Sequence, residues 1–224
     1  MIAPEASAAF VANMEDVLEV YQRPHDPRRP LVCLDETSKQ LIKETRTPIA
    51  AKPGQPARED YEYERNGVAN LFMMFAPLEG WRCVKVTDRR AAVDYAHVLK
   101  DLSDTHFPDA DRIVLVQDNL STHTTASLYE AFPAPRPVAS SSGSNGITRP
   151  STEAGSTWPL DMAEAELAVL STQCLDRRIP DKKVLIEEVA SWQERRNTHQ
   201  TKANWQFTTV DARVKLARLY PQFQ

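Results

Sequence analysis

An excess of positive charge is missing from this chain. Its 27 Lys and Arg are outnumbered by 31 Asp and Glu, giving a formal net charge of −4 and a pI of about 5.8. That excludes a generic polyanion binder, although a local basic groove remains compatible with it. Cysteine is scarce as well. The three present, Cys33, Cys83 and Cys174, have no metal-ligand spacing. Two lie in strand patterns and one on an apolar helical face, so they read as small core residues of a reducing compartment. No apolar run is long enough to span a bilayer, and no basic segment followed by an apolar one opens the chain. These absences point to a cytoplasmic protein without a membrane partner. What is there suits one sizeable core, or one domain with appendages: 224 residues, 42% hydrophobic and 26% charged.

The stretch Leu31-Val-Cys-Leu-Asp35-Glu-Thr stands out. Four apolar residues after Pro30 run straight into an acidic pair, the pattern of a strand buried on both faces. Ile113-Val-Leu-Val-Gln117 repeats it and also ends on an acid, Asp118, followed by Asn119. Taken singly, each aspartate reads more readily as the cap of a turn. Two matched strands ending alike suggest instead two carboxylates side by side at one sheet edge. Close carboxylates repel, so such a pair usually takes a cation. The two strands are expected to be adjacent and parallel.

The remaining elements follow in order. Residues 3–21 have a helical period, stopped by Pro24, Pro27 and Pro30. After the first strand, residues 38–58 read as a long, irregular, basic arm that carries Lys39, Lys43, Arg46, Lys52 and Arg58. The arm is either a phosphate contact or a solvated loop. Residues 61–75 read as a hairpin turned at Asn66-Gly67, which supplies two positive-φ residues. With residues 81–87 it makes a three-stranded antiparallel meander that can include the Asp35 strand. A helix with Tyr95, Leu99 and Leu102 on one face then crosses over to the Asp118 strand, which predicts a parallel return. Residues 122–132, 162–177, 181–196 and 209–219 are helical in pattern. Residues 136–159 are rich in Ser, Gly, Thr and Pro and have no hydrophobic period, so they read as an irregular insert.

A third acid, Glu164, opens the helix after that insert. It could complete a three-carboxylate site from a helix facing the sheet edge. Asp161 with Glu164 also fits an acidic capping box that needs no metal. Together, Leu-Asp35-Glu-Thr, Asp118-Asn-Leu-Ser-Thr-His123 and Met-Ala-Glu164, followed by Leu-Ser-Thr-Gln-Cys174-Leu-Asp-Arg-Arg-Ile-Pro180, resemble the bacterial DDE insertion-sequence transposases of the mariner-like superfamily. The likeness runs from about residue 4 to residue 223, broken at about 136–159.

The resemblance implies an α/β, RNase H-like (retroviral integrase-type) mixed sheet with helices on both faces. It implies two divalent ions, Mg²⁺ or Mn²⁺, held by Asp35, Asp118 and Glu164, and in-line phosphoryl transfer at DNA phosphodiesters. Asn119 and His123 become candidates for supporting the ligands or contacting phosphate, with a structural hydrogen bond as the alternative for His123. Lys39 and Arg46 become candidate DNA contacts. The implied partner is double-stranded DNA, as transposon ends and target, bound by a homo-oligomer.

Two departures qualify the resemblance. Such transposases usually begin with helix-turn-helix domains, and residues 1–30 leave room only for a helix and linker ahead of a catalytic domain at 31–224. The insert also stands where the family reads close to His-Tyr-Thr-Pro-Lys-His-Gly-Ser-Trp-Leu-Asn. One possible coding of residues 146–159, begun at its third base, spells that motif, which points to a frameshift closed by a short duplication. The expectation is a truncated, impaired transposase domain. A non-catalytic remnant that only associates with DNA or an intact transposase is the alternative, and a metal-dependent nuclease is a third reading.

Overall fold

In the computed structural model, the described residues are 8–47, 49–56, 58, 60–117, 126–132, 146–148 and 162–220. Among the described residues, five strands form one mixed sheet in the order β3-β2-β1-β4-β5. They are β1 (Leu31–Glu44), β2 (Tyr63–Ala76), β3 (Trp81–Thr87), β4 (Arg112–Gln117) and β5 (Gly146–Thr148). β1, β2 and β3 form the antiparallel meander, and β4 lies parallel to β1 with Leu31 opposite Val114 and Leu34 opposite Gln117. The two apolar runs singled out in the sequence are therefore neighbours in the expected direction. Side-chain alternation divides β1 between two cores. Leu31 and Cys33 face one, with α1 (Ala8–Tyr21), α4 (Met162–Leu170) and α5 (Lys182–Thr198). Val32 and Leu34 face the other, with Tyr95, Val98 and Leu99 of α2 (Ala92–Asp101). Leu128 of α3 (Ala126–Ala131) packs against this second core. Helices thus cover both faces of the sheet, and α6 (Thr209–Lys215) is followed by a 3-10 turn at Ala217–Leu219. No helix among the described residues is long and apolar enough to cross a membrane.

Two local expectations are corrected. The irregular arm does not start at Ser38, because β1 continues to Glu44 and pairs with β2 throughout. Asn66-Gly67 does not turn a hairpin within residues 61–75, because β2 is one continuous strand from Tyr63 to Ala76. The register slips there instead, with Gln40 opposite Val68 and Ile42 opposite Arg65, so that Asn66 and Gly67 together face Leu41. Gly67 takes φ +89°. The same positive-φ chemistry that closes a tight turn here serves a β-bulge. The bulge is docked from outside: Asn66 Nδ2 donates to the Pro180 carbonyl at 2.8 Å, and the Ile42 N–H to the Ile179 carbonyl at 2.8 Å. Of the segment 136–159, Gly146–Thr148 are described. They are regular, paired in parallel with Arg112–Val114.

β3 is an edge strand, and α5 covers it. Gln193 Oε1 accepts the Val84 N–H at 2.8 Å, while Asn197 accepts the Arg82 N–H at 2.9 Å and donates back to the Arg82 carbonyl at 2.8 Å. Residues 193 and 197 share a helix face, one turn apart, so a single stripe of α5 satisfies the edge that would otherwise invite another strand.

Candidate active site

Asp35 follows the last β1 residue paired with β4 and is opposite Met73 of β2. It shares a sheet face with Cys33, two residues earlier, and so with the core that holds α4. Its carboxylate is half-buried, and Oδ1 accepts the Glu36 N–H at 2.8 Å. Glu36 points to the opposite face, where its nearly buried carboxylate lies 4.0 Å from Arg90. On that opposite face Tyr95 donates to Gln117 Oε1 at 2.8 Å, a buried bond that ties α2 to the end of β4. Asp118, Asn119 and His123 lie outside the described residues, as does Asp161 with its capping role.

α4 brings Glu164 to the same side as Asp35. The Met162 N–H donates to the Tyr21 hydroxyl at 3.4 Å, and that hydroxyl lies 3.6 Å from Cys33 Sγ. The start of the helix is thereby held beside β1, two residues short of Asp35 on the strand and two short of Glu164 on the helix. A π-helical turn, Ser171–Leu175, extends α4. At its end Lys39 Nζ donates to the Leu175 carbonyl at 2.6 Å and to the Arg177 carbonyl at 3.2 Å. The two attachments match in length. From Cys33 to Lys39 a strand advances roughly 20 Å, and from Met162 to Leu175 a helix advances about the same. Lys39 thus serves as a helix C-terminal cap. Arg46, the other basic candidate, is 75% exposed and sits 3.2 Å from Asp60.

Glu164 is exposed, while Met162, Ala163, Glu166, Leu167 and Leu170 form the buried side of α4. Glu166 is the residue the sequence reading passed over. Its carboxylate is buried between Arg82 of β3, whose side chain is 0% exposed, and Arg196 of α5. Glu166 Oε1 lies 2.8 Å from both Nε atoms, close ionic contacts that fall off the hydrogen-bond axis. Arg196 Nη2 supplies the directed bond, at 3.1 Å to Oε2. Arg82 also donates to the Gly80 and Thr201 carbonyls at 3.2 and 2.7 Å. Burial, partly offset by Glu166, pulls the Arg82 guanidinium below its ordinary range. Removing one member of such a buried group leaves an uncompensated charge, at a cost of about 3–5 kcal/mol. One signal was available in the sequence. Arg82, Val84 and Val86 alternate onto one face of β3, and an arginine on an otherwise apolar face requires a buried acid somewhere.

Among the described residues, no cluster of three or more His, Cys, Asp or Glu could hold a metal. Asp35 and Glu164 are hard oxygen donors, the type that Mg²⁺ and Mn²⁺ take.

A family model described as DDE superfamily endonuclease matches residues 30–186. No curated protein matches the chain in sequence. Among solved structures, the chain is similar over its full length to the catalytic domain of Mos1 mariner transposase, with a TM-score of 0.56, 11% identity and 100% of that chain covered. It is similar to the Mos1 catalytic domain solved with raltegravir and Mn, with a TM-score of 0.56, 12% identity, and 99% of this chain and 100% of that one covered. The Mos1 mariner paired-end complex with Mn gives a TM-score of 0.56 at 15% identity, covering 100% of this chain. The chain spans 66% of the length of that transposase. These likenesses fix the fold as RNase H-like, as the sequence resemblance implied.

Proposed function

Because the chain belongs to the DDE superfamily endonucleases, we propose that it is a metal-dependent DNA transposase catalytic domain from an insertion sequence. Asp35, Asp118 and Glu164 are its three acids. The observation that carries this reading is the docking of α4 on the Asp35 face of β1, beside the parallel β1–β4 pair. Asp35, Asp118 and Glu164 would hold two Mg²⁺ or Mn²⁺ ions. Bound ions would supply charge stabilisation to the attacking and leaving oxygens of an in-line displacement. The protein's own part is to hold the carboxylates in place and to orient DNA. Asn119 and His123 are assigned to support of the ligands or phosphate contact. The partners would be transposon ends and target DNA, bound by a homo-oligomer in the cytoplasm. The Mos1 neighbours solved with Mg or Mn and in paired-end and strand-transfer complexes support this choice of ion and partner.

The foreign sequence of residues 136–159, where the family's His-Gly-Ser-Trp stretch leads into the Glu164 helix, favours impaired chemistry. A misplacement of about 1 Å can cost on the order of a hundredfold. The test is purified protein with Mn²⁺ and DNA bearing the element's ends, beside Asp35→Asn and Asp118→Asn. The expected result is weak Mn²⁺ binding, lost in both variants, with little end-specific cleavage or strand transfer. Mn²⁺ binding that survives both substitutions would remove the site from contention.

A further inference from the structure

We propose that Glu166 is a positioning residue for Glu164. Its buried carboxylate, gripped by Arg82 and Arg196, sets the rotation of α4 about its own axis and so the direction in which Glu164 leaves the helix. Only the consequence for metal binding rests on the function proposed above; the clamp itself rests on the geometry.

Glu164 and Glu166 are two residues apart, about 200° around a helix. Fixing one therefore aims the other at the opposite side, and Glu164 is indeed exposed while Glu166 is buried. The apolar contacts of α4 cannot do this alone. Burial of Met162, Ala163, Leu167 and Leu170 is non-directional, whereas a hydrogen-bonded charge is fixed in direction. The bond from Arg196 Nη2 to Glu166 Oε2 is directional, and the two Nε contacts at 2.8 Å confine the other oxygen between β3 and α5. The other attachments of α4 lie at its ends. Tyr21 holds the backbone at Met162, Trp192 Nε1 donates to Gln173 Oε1 at 3.1 Å, and Lys39 caps Leu175. They fix where the helix starts and stops. Glu166 is the point in its first turns gripped from both sides, by β3 and by α5.

The grip is itself held in place. Arg82 lies over the Phe75 ring with its guanidinium carbon 4.9 Å from the centroid, and Arg196 over Trp192 at 5.5 Å. The carbonyls that Arg82 uses come from two turns that touch. Gly80 has φ +68°, and a Cβ there would meet the Gln200 carbonyl oxygen at 2.5 Å. A side chain at position 80 would push apart the turns that offer Gly80 and Thr201 to Arg82. The carboxylate thus enters a site that the rest of the fold has already shaped, as a positioning device needs.

The test places nitroxide labels at Glu164→Cys and at exposed Lys43→Cys on β1, the native cysteines being buried. The interspin distance is then measured with and without Glu166→Gln. The expected result is one narrow distribution in the parent that shifts or broadens in E166Q. An unchanged distribution in folded E166Q overturns the proposal. If E166Q does not fold, Arg196→Lys carries the same measurement, because it keeps the charge and loses the planar pair of nitrogens; a parent-like distribution there also overturns it. In the unlabelled protein, Mn²⁺ affinity of E166Q should fall about ten- to a hundredfold at temperatures where the variant is fully folded. A parent that binds no Mn²⁺ sinks the metal reading of the site, and the label distances still decide the clamp.

Discussion

The Tyr21 hydroxyl accepts the Met162 N–H at 3.4 Å and touches Cys33 Sγ at 3.6 Å. One phenol oxygen thereby joins the end of α1, the strand that carries Asp35 and the helix that carries Glu164. The ring stacks at a tilt against Trp205, with centroids 5.3 Å apart, so the contact is packed from behind.

Tyr21→Phe keeps the ring and removes the acceptor. A helix N-terminal N–H then loses its partner in a buried setting, at a cost of about 1 kcal/mol. Urea denaturation measures this as a lowered midpoint with an unchanged slope. The loss in Mn²⁺ affinity should exceed what that small destabilisation explains, because the helix start is no longer pinned to β1. Equal affinity in the two proteins would show that Tyr21 supports the fold and nothing more.

Lys39→Met separates a cap from a DNA contact. The ammonium is committed to the Leu175 and Arg177 carbonyls. Its removal should lower stability by roughly 1–2 kcal/mol, since bonds from charged donors are worth more than neutral ones. The slope of log K against log salt for DNA binding should stay as in the parent, because no phosphate contact is lost. A slope reduced by about one would place Lys39 on the DNA instead.

Asp211 gives a pH signature. The Thr208 hydroxyl and N–H, then Lys215, hold its carboxyl down from 3.8 to about 2. A depressed carboxyl stabilises the fold above its unfolded value, near 3.9. That contribution is lost as pH falls from about 4 to about 2. The capping box between Thr208 and Asp211 is the structural basis. Thr208→Ala should leave α6 weaker at neutral pH and flatten the acid limb of the stability curve between those values. Parallel curves for the two proteins would assign the acid loss to other carboxylates.

Much of this fold was legible because it is written locally. Leu31 to Leu34 and Ile113 to Val116 have no polar face to offer, so burial on both sides was the available outcome. The helix around Tyr95 and Leu99 between them forced a crossover, and a crossover returns in parallel. The helical faces of Leu167, Leu170 and Cys174 and of Leu185, Val189 and Trp192 are those the structure buries. The family likewise followed from short motifs read together.

Other features depended on partners far along the chain. Gly67 takes positive φ here, as it would in a tight turn. Only the length of the β1–β2 pairing decided that it would serve a bulge and not a turn. Nothing near Lys39 in the sequence signals that its ammonium meets the Leu175 carbonyl, 136 residues later. Glu164 and Glu166 are two acids on one helix, indistinguishable by composition. Arg82 and Arg196 come from a strand and a helix that the sequence does not bring near either one. Periodicity gives a helix its faces, because spacing along the chain is fixed by covalent geometry. It does not give the angle at which that helix settles, which is set by the charges waiting on the elements it meets.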